Sequence, residues 1–357
     1  MDGKRLVRTF LDLVKIDSPS GHEEKVRKYV VQFVKKLGLK PIQDARGNLI
    51  VKVDGDGEPL LLGAHLDTVE PGRNIKPQIK DGIIRSSGDT ILGADNKVAV
   101  AAILEVLKYL IENKLKISSI DIVFTLSEES GEFGSSKLDY GKISAKKGYT
   151  FDSLSPFGSI ITASPFYNRF DIKIIGKSAH ASFPHEAINA LRIFGIALNK
   201  IKLGKINNKT IANIGIVSSG HAPNTIPGEV AISGEVRSFV KKEIEDYSRF
   251  IVNKFTEIAL KFGARVEEKV IPSCSGYEYS VSDEFIRTTR KIIKDFGLKP
   301  SLMRKWACSD ANIFNEHGIK ILNLGDGVVN AHTTDEYIAV NDLSKLASLV
   351  FSLAIGK

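Results

Sequence analysis

The sequence predicts an α/β protein with a smaller α+β domain inserted into it, and three observations lead there. Apolar runs such as Leu60-Leu61-Leu62 and Ile120-Asp121-Ile122-Val123-Phe124 alternate with helix-period segments over the first 150 residues or so, the pattern of a sheet covered on both faces. From about residue 166 the order becomes strand, helix, strand, strand, helix, strand, the ferredoxin-like β-α-β-β-α-β arrangement. After about residue 273 the α/β style returns. The expected organisation is one main domain built from residues 1–165 and 273–357, with residues 166–272 inserted as a separate domain.

Each element has a local reason. Leu6, Phe10, Leu13 and Val14 recur at helical spacing and predict a surface helix over about residues 4–15. A second is expected from 23 to 37, where Ser20 followed three residues later by Glu23 has the form of a capping box. β-rich runs at Asn48 to Val53, Leu60 to Ala64 and Ile83 to Ser86 precede a long helix from Lys97 to Ile111 and a strand from Ile120 to Thr125. The insertion reads as strand (Phe170 to Ile175), helix (Ala187 to Ile201), strands (Thr210 to Val217, Val230 to Val236), helix (Lys242 to Phe262) and strand (Arg265 to Ile271). Helices at Asp283 to Phe296 and Ser309 to His317, a strand at Ile319 to Leu324 and a last helix at Leu343 to Leu353 complete the main domain.

Composition excludes several classes. With 43% hydrophobic and 26% charged residues over 357 positions, the chain has the make-up of a globular protein, not a disordered or fibrous one. Fifty Lys+Arg against 42 Asp+Glu leave a net charge of +8. The basic residues are scattered, as in Lys35-Lys36, Lys146-Lys147 and Lys241-Lys242, so no nucleic-acid partner is expected. Two cysteines, Cys274 and Cys308, are too few for a disulfide framework and point to a reducing compartment. The first residues run straight into an amphipathic pattern with no signal-peptide core, and no apolar run reaches the ~18 residues of a membrane span. Cytoplasmic residence without a membrane partner is the expectation.

Polar residues that could carry chemistry gather at predicted strand ends. His65 and Asp67 follow the strand Leu60 to Ala64, and a carboxylate two residues on could orient the imidazole of a metal-ligating histidine. An Asp-capped structural His is the blander reading of that pair. Asp95 stands just before a helix, where an ordinary N-cap would also stand. The adjacent carboxylates Glu128 and Glu129 repel each other unless solvated or shared with a cation. Asp152 and His332 lie beyond two further β-like runs. Two divalent ions need a bridging carboxylate, terminal imidazole or carboxylate ligands and a free carboxylate to take a proton from water, and this set offers every one.

The segments Gly63-Ala64-His65-Leu66-Asp67-Thr68-Val69, Gly93-Ala94-Asp95-Asn96-Lys97, Ser127-Glu128-Glu129-Ser130-Gly131, Phe151-Asp152 and His332-Thr333-Thr334-Asp335-Glu336 occur in that order over nearly the whole chain. They resemble the dizinc metallopeptidase family of peptidase T, glutamate carboxypeptidase, aminoacylase, acetylornithine deacetylase and succinyl-diaminopimelate desuccinylase. The segments Ser309-Asp310-Ala311-Asn312 and Asn323-Leu324-Gly325-Asp326-Gly327 are most similar to the peptidase T branch. The resemblance implies a zinc-exopeptidase-like catalytic domain with an inserted ferredoxin-like lid or dimerisation domain. It implies that His65 and Asp152 bind one metal, Glu129 and His332 the other, and that Asp95 bridges both. Glu128 would be the general base acting on a metal-bridging water, Asp67 would support His65, and the Asp95–Asn96 peptide bond would be cis.

In the insertion, Gly176-Lys177-Ser178-Ala179-His180-Ala181-Ser182-Phe183-Pro184 resembles the family's lid histidine motif, which implies that His180 donates to the oxyanion of the tetrahedral intermediate. A histidine closing a turn is the plainer alternative. Asn224 and Arg237 match family positions that hold substrate polar groups or a carboxylate, although a strand-end Arg in a surface ion pair would read the same. Trp306-Ala307-Cys308 stand where peptidase T relatives often have glycines, which bears on substrate choice; Cys308 is expected to be a small buried hydrophobe. The expected activity is hydrolysis of di- or tripeptides from the N-terminus, by a homodimer joined through the inserted domain. The cofactor would be two divalent ions per chain, zinc first, with cobalt or manganese also suited to mixed N/O ligation. The alternatives are an N-acyl-amino-acid deacylase or carboxypeptidase of the same family, and a non-catalytic dimeric peptide-binding homologue.

Overall fold

The computed structural model describes residues 1–132 and 134–356, Glu132 by its backbone alone. The chain divides into two compact units. One comprises Met1–Thr162, Tyr279–Arg304 and the chain from Ser309 onward; the other comprises Ala163–Glu278 and Lys305–Cys308.

The first unit is built on a mixed sheet. Its centre consists of the strands Ile120–Thr125, Leu60–His65, Lys147–Thr150 and Lys320–Leu324, side by side in that order and all parallel. Leu49–Val53 adds antiparallel to Ile120–Thr125 at one side, and Ser159–Ser164 antiparallel to Lys320–Leu324 at the other. Every residue of Leu60–His65 and Ile120–Thr125 is buried, which explains why these strands read as continuous apolar runs and not as an alternation. The helices Gly3–Val14, Ala94–Glu112 and Val340–Ile355 pack against one another, with Phe10, Leu104 and Leu346 in a shared core. Gly148 lets two strands approach: a Cβ there would lie 2.2 Å from the carbonyl oxygen of Leu61, its partner in the parallel pairing.

The second unit is an antiparallel sheet in the order Gly204–Lys205, Thr210–Ser219, Glu229–Ser238, Phe166–Ile175 and Arg265–Cys274. The helices Ala190–Leu198 and Lys241–Lys261 cover it over a core that includes Phe170, Ile232 and Phe255. Taken in chain order, the four long strands and two helices follow the β-α-β-β-α-β sequence, and the fold class is as expected.

Several elements differ from expectation. The strand Ser159–Ser164 has no alternation to announce it, since all six of its residues are buried. Pro77–Lys80, Ser301–Arg304 and Tyr337–Ala339 are strands of three or four residues, too short to show a period. Ser20 and Glu23 form no capping box: the helix Glu24–Lys36 begins without a side-chain cap, because both side chains are engaged elsewhere. Gly148→Ala is expected to lower stability by about 1–3 kcal/mol, as overpacking typically does, which urea unfolding followed by circular dichroism would measure.

Candidate metal centre

Because the four central strands are parallel, their C-terminal ends emerge on one side of the sheet, where open α/β sheets bind ligands. His65 closes its strand, Asp67 lies two residues beyond it, Glu128 and Glu129 follow Thr125, and Asp152 follows Thr150. Asp95 stands at the start of the helix Ala94–Glu112, and its peptide bond to Asn96 is cis. His332 comes from a loop whose ends are pinned by reciprocal bonds, Val329 N to Tyr337 O at 3.1 Å and Tyr337 N to Val329 O at 3.0 Å. His332 has φ 65° and Ser127, just ahead of the glutamate pair, φ 54°. Residues with a Cβ take up this left-handed region only when their surroundings enforce it, and such positions concentrate at functional sites.

The side chains converge around Asp95. Its Oδ1 lies 3.3 Å from His65 Nε2, and its Oδ2 lies 3.2 Å from His332 Nε2. His332 Nε2 is also 3.0 Å from Glu129 Oε1, and His65 Nε2 is 3.8 Å from Asp152 Oδ1. Two triads, His65 with Asp95 and Glu129, and His65 with Glu128 and Asp152, each bring one ligand atom per residue within 4.8 Å of the others. Asp95 is thus no ordinary cap: its carboxylate faces two imidazoles, one through each oxygen.

Supporting contacts fix these groups from outside. Asp67 accepts from Ser20 Oγ at 2.7 Å and from the backbone N–H groups of Glu128 and Glu129 at 3.0 Å each, while lying 3.3 Å from His65 Nδ1. It therefore ties the imidazole to the loop that carries both glutamates. Glu23 Oε1 accepts from Ser127 N and Oγ, both at 3.0 Å. Buried Asn48 bridges the loop's two ends, accepting from Leu126 N at 3.1 Å and donating to Gly134 O at 3.0 Å. Asn323 holds the backbone of Asp152 by two hydrogen bonds, 2.9 Å to its N–H and 3.1 Å to its carbonyl. Lys97 is buried with its ammonium 2.8 Å from Ser18 Oγ. Burial pulls that ammonium down to about 8, against the pull of Asp67 and Glu336.

The electrostatics show what this donor set suits. Burial pushes the Asp152 carboxyl up to about 7; His65 counteracts and the Asp95 charge adds to the rise. Glu128 is held well above the usual carboxylate range by burial and by Asp152. The imidazoles answer the carboxylates: Asp95 and Glu129 raise His332 to about 10. Burial would raise Asp67 as well, but His65 and Ser20 outweigh it and hold that carboxyl at about 2. Buried carboxylates crowded beside imidazoles, with mixed nitrogen and oxygen donors, are a set that fits divalent cations.

The sequence suggested no part in this centre for Ser20, Glu23, Asn48, Lys97, Asp310 or Glu336. Buried Asp310 accepts from Ser135 Oγ at 2.5 Å and from Thr125 Oγ1, anchoring the strand end beside the glutamate loop. Glu336 accepts from Gly93 N and Asp95 N. Lys97, Asp310 and Glu336 stood inside the family-like segments, and nothing local marked their partners.

His180, Asn224 and Arg237 belong to the second unit. There the two-residue strands Ala179–His180 and Thr225–Ile226 pair, and Ala181 N donates to Asn224 O at 2.9 Å, so His180 and Asn224 lie close in the fold. Both are exposed. The Arg237 guanidinium is already engaged: it pairs with both Glu235 oxygens at 3.1 Å, donates to Trp306 O at 2.8 Å and stacks over Tyr167 at 4.7 Å. Cys308 is half-buried with Sγ 3.6 Å from Pro165 O, more open than the small buried hydrophobe expected, because it sits in the short segment Lys305–Cys308 and not in either core.

The profile of peptidase family M20/M25/M40 matches residues 61–355. The uncharacterized protein YqjE of Bacillus subtilis is 34% identical, the match covering 98% of this chain and 97% of that one. Among solved structures, aminopeptidase PepT of Bacillus cereus superposes with a TM-score of 0.93 at 33% identity, over 100% of this chain and 99% of its own. A tripeptidase of Staphylococcus aureus superposes with a TM-score of 0.96 at 33% identity, over 99% and 98%.

Metal ligands must be deprotonated, so loading a metal-free preparation releases whatever protons the ligands hold. With His332 raised to about 10 and Asp152 to about 7, both carry protons at pH 6.5. Zinc titrated calorimetrically in buffers of different ionisation enthalpy is expected to release more than one proton per chain at pH 6.5, and fewer at pH 8.5, where Asp152 is already ionised. Release of no protons at either pH would contradict the assignment of these residues as ligands.

Proposed function

The chain belongs to peptidase family M20/M25/M40 and is a peptide-bond hydrolase of its peptidase T-like branch, and on that premise we propose that it is an exopeptidase with two divalent metal ions, releasing the N-terminal residue of di- and tripeptides. The observation that carries this reading is Asp95, whose two oxygens reach toward His65 on one side and His332 on the other. His65 and Asp152 would hold one ion, Glu129 and His332 the second, and Asp95 both. Zinc suits the donors best, and cobalt or manganese would also serve. Two such ions polarise the scissile carbonyl and ease the ionisation of water.

The chain's own residues do the rest. Glu128 takes the proton of the attacking water and returns it to the leaving amine. A base works best when its proton affinity lies near the operating pH, and burial beside Asp152 raises that of Glu128. Asp67 keeps the His65 ring in place and, through the N–H groups of Glu128 and Glu129, keeps base and ligand on a fixed backbone. His180 would donate to the oxyanion, and Asn224 and Arg237 would hold polar groups of the substrate. The pairing of Arg237 with Glu235 favours the aminopeptidase over the deacylase or carboxypeptidase alternative, since a guanidinium already forked onto a carboxylate has less to offer a substrate's own.

No helix among the described residues is long and apolar enough to cross a membrane. Residence in the cytoplasm is part of the proposal, supported by the cysteine usage. So is a homodimer through the inserted domain, whose strand Thr210–Ser219 exposes Ile216 and Val217.

Glu128→Ala and wild type, purified identically, provide the main test. The variant is expected to keep two metals per chain by plasma emission while losing about 10²–10⁴ in kcat on a free tripeptide; a variant that loses metal would make Glu128 a ligand instead. Substrate direction is tested by comparing a free tripeptide with an N-acetyl amino acid. Turnover of the blocked substrate alone would overturn the aminopeptidase reading.

A further inference from the structure

The chain enters the helix Ala94–Glu112 through Gly93, which has φ 69° and no side chain, and through Asp95 and Asn96, whose backbone angles are not helical. Two N–H groups of this entry segment are met by a residue about 240 positions away. Glu336 Oε2 accepts from Gly93 N at 2.7 Å, and Glu336 Oε1 accepts from Asp95 N at 3.0 Å. The Glu336 side chain is buried, so these bonds are not shared with bulk water. A carboxylate is the one side-chain group that can accept through both oxygens at once.

The other end of Glu336 is equally fixed. Its own N–H donates to Thr333 O at 3.1 Å, closing a turn directly after His332. It then enters the strand Tyr337–Ala339, which pairs antiparallel with Ile83–Ser86. One side chain therefore ties the peptide of Asp95 to the loop of His332, the two residues whose Oδ2 and Nε2 lie 3.2 Å apart. His332 sits in a left-handed conformation and its loop is otherwise held at the Val329 and Tyr337 ends.

From this geometry we infer that Glu336 is a positioning residue: by clamping Gly93 N and Asp95 N to the 329–337 loop, it sets the spacing of Asp95 and His332 and so the affinity for the cation that these two would hold with Glu129. The inference rests on the two-ion reading above. It touches one ion more than the other, because the clamp spans the Asp95 and His332 loops, while His65 and Asp152 are held by Asp67 and Asn323. In Glu336→Gln the amide turns an NH₂ toward one of the two backbone N–H groups, so one bond is lost with little change in volume. Glu336→Asp keeps both acceptors on a shorter arm.

Cobalt(II) titrated into metal-free wild type, E336Q and E336D, followed by visible absorption and calorimetry, tests this. Asp2→Ala is the control for general loss of a helix cap, because Asp2 Oδ1 caps the helix Gly3–Val14 away from the cluster. In E336Q the ion that would share His332 and Glu129 is expected to bind about 10–100-fold more weakly than in wild type, the usual cost of losing a group that orients ligands, and the other ion is expected to weaken less. E336D should fall between, and D2A should bind both ions as wild type does. Two ions bound by E336Q with wild-type affinities and spectrum would overturn the inference. So would an equal weakening of both ions in E336Q, which would make Glu336 a structural cap only. Should E336Q not fold, two ions bound by E336D as in wild type would overturn it equally. Failure of wild type itself to bind a second cobalt ion would overturn the two-ion reading, and the inference with it.

Discussion

Like charge held out of water is the constraint on which this structure turns. Asp95, Glu128, Glu129 and Asp152 converge at the end of one sheet, and all are largely withdrawn from solvent. A chain left to itself would separate such groups or neutralise them. Here neither happens completely: two imidazoles take up part of the charge, burial raises the proton affinity of Asp152 and Glu128, and the backbone prevents retreat. A divalent cation answers each part of that arrangement at once, because it removes the repulsion and fills the coordination that the carboxylates and imidazoles present.

What prevents retreat is the number of independent anchors on each loop. The glutamate loop is tied at its two ends by Asn48, at Ser127 by Glu23 and at its centre by Asp67. Asp152 is held through its own backbone by Asn323, and Asp95 by Glu336. These anchors come from positions far apart in sequence and meet only because four parallel strands present their ends on one side. Preorganisation of this kind places the ordering cost in folding and not in binding or in the chemical step.

This division also explains what was legible in the sequence. The helices with an apolar face, such as Gly3–Val14 with Leu6, Phe10 and Leu13, were visible because their period is local. The ferredoxin-like order was visible because six elements of ordinary length alternate within about 105 residues. The residues that converge at the centre could be read because histidines and acids stood next to strand ends. The anchors could not be read that way. Ser20 and Glu23 have the spacing of a capping box, and their side chains serve Asp67 and Ser127 instead, a tertiary use that overrides the local signal. Glu336 and Gly93 are 243 residues apart, and no periodicity connects them. Arg237 carried the right residue type for gripping a carboxylate, but its pairing with Glu235 two residues earlier is a same-face contact that a strand's alternation places within reach and does not enforce.

Because every anchor is long-range, the centre exists only in the folded first unit, and its electrostatic cost is borne by that unit's stability. A ligand that binds the folded state and not the unfolded chain adds its binding free energy to folding. Cations at this cluster would do so twice over, through their own coordination and through release of the repulsion among the four carboxylates. The left-handed backbone at Ser127 and His332 belongs to the same economy: each is a local cost tolerated because Glu23 on one side and the pinned ends of the 329–337 loop on the other leave no relaxed alternative within the fold. On the proposed reading, folding, ligation and catalysis in this chain would share one cluster of residues, and the side chains that anchor it from outside would decide how well it is held.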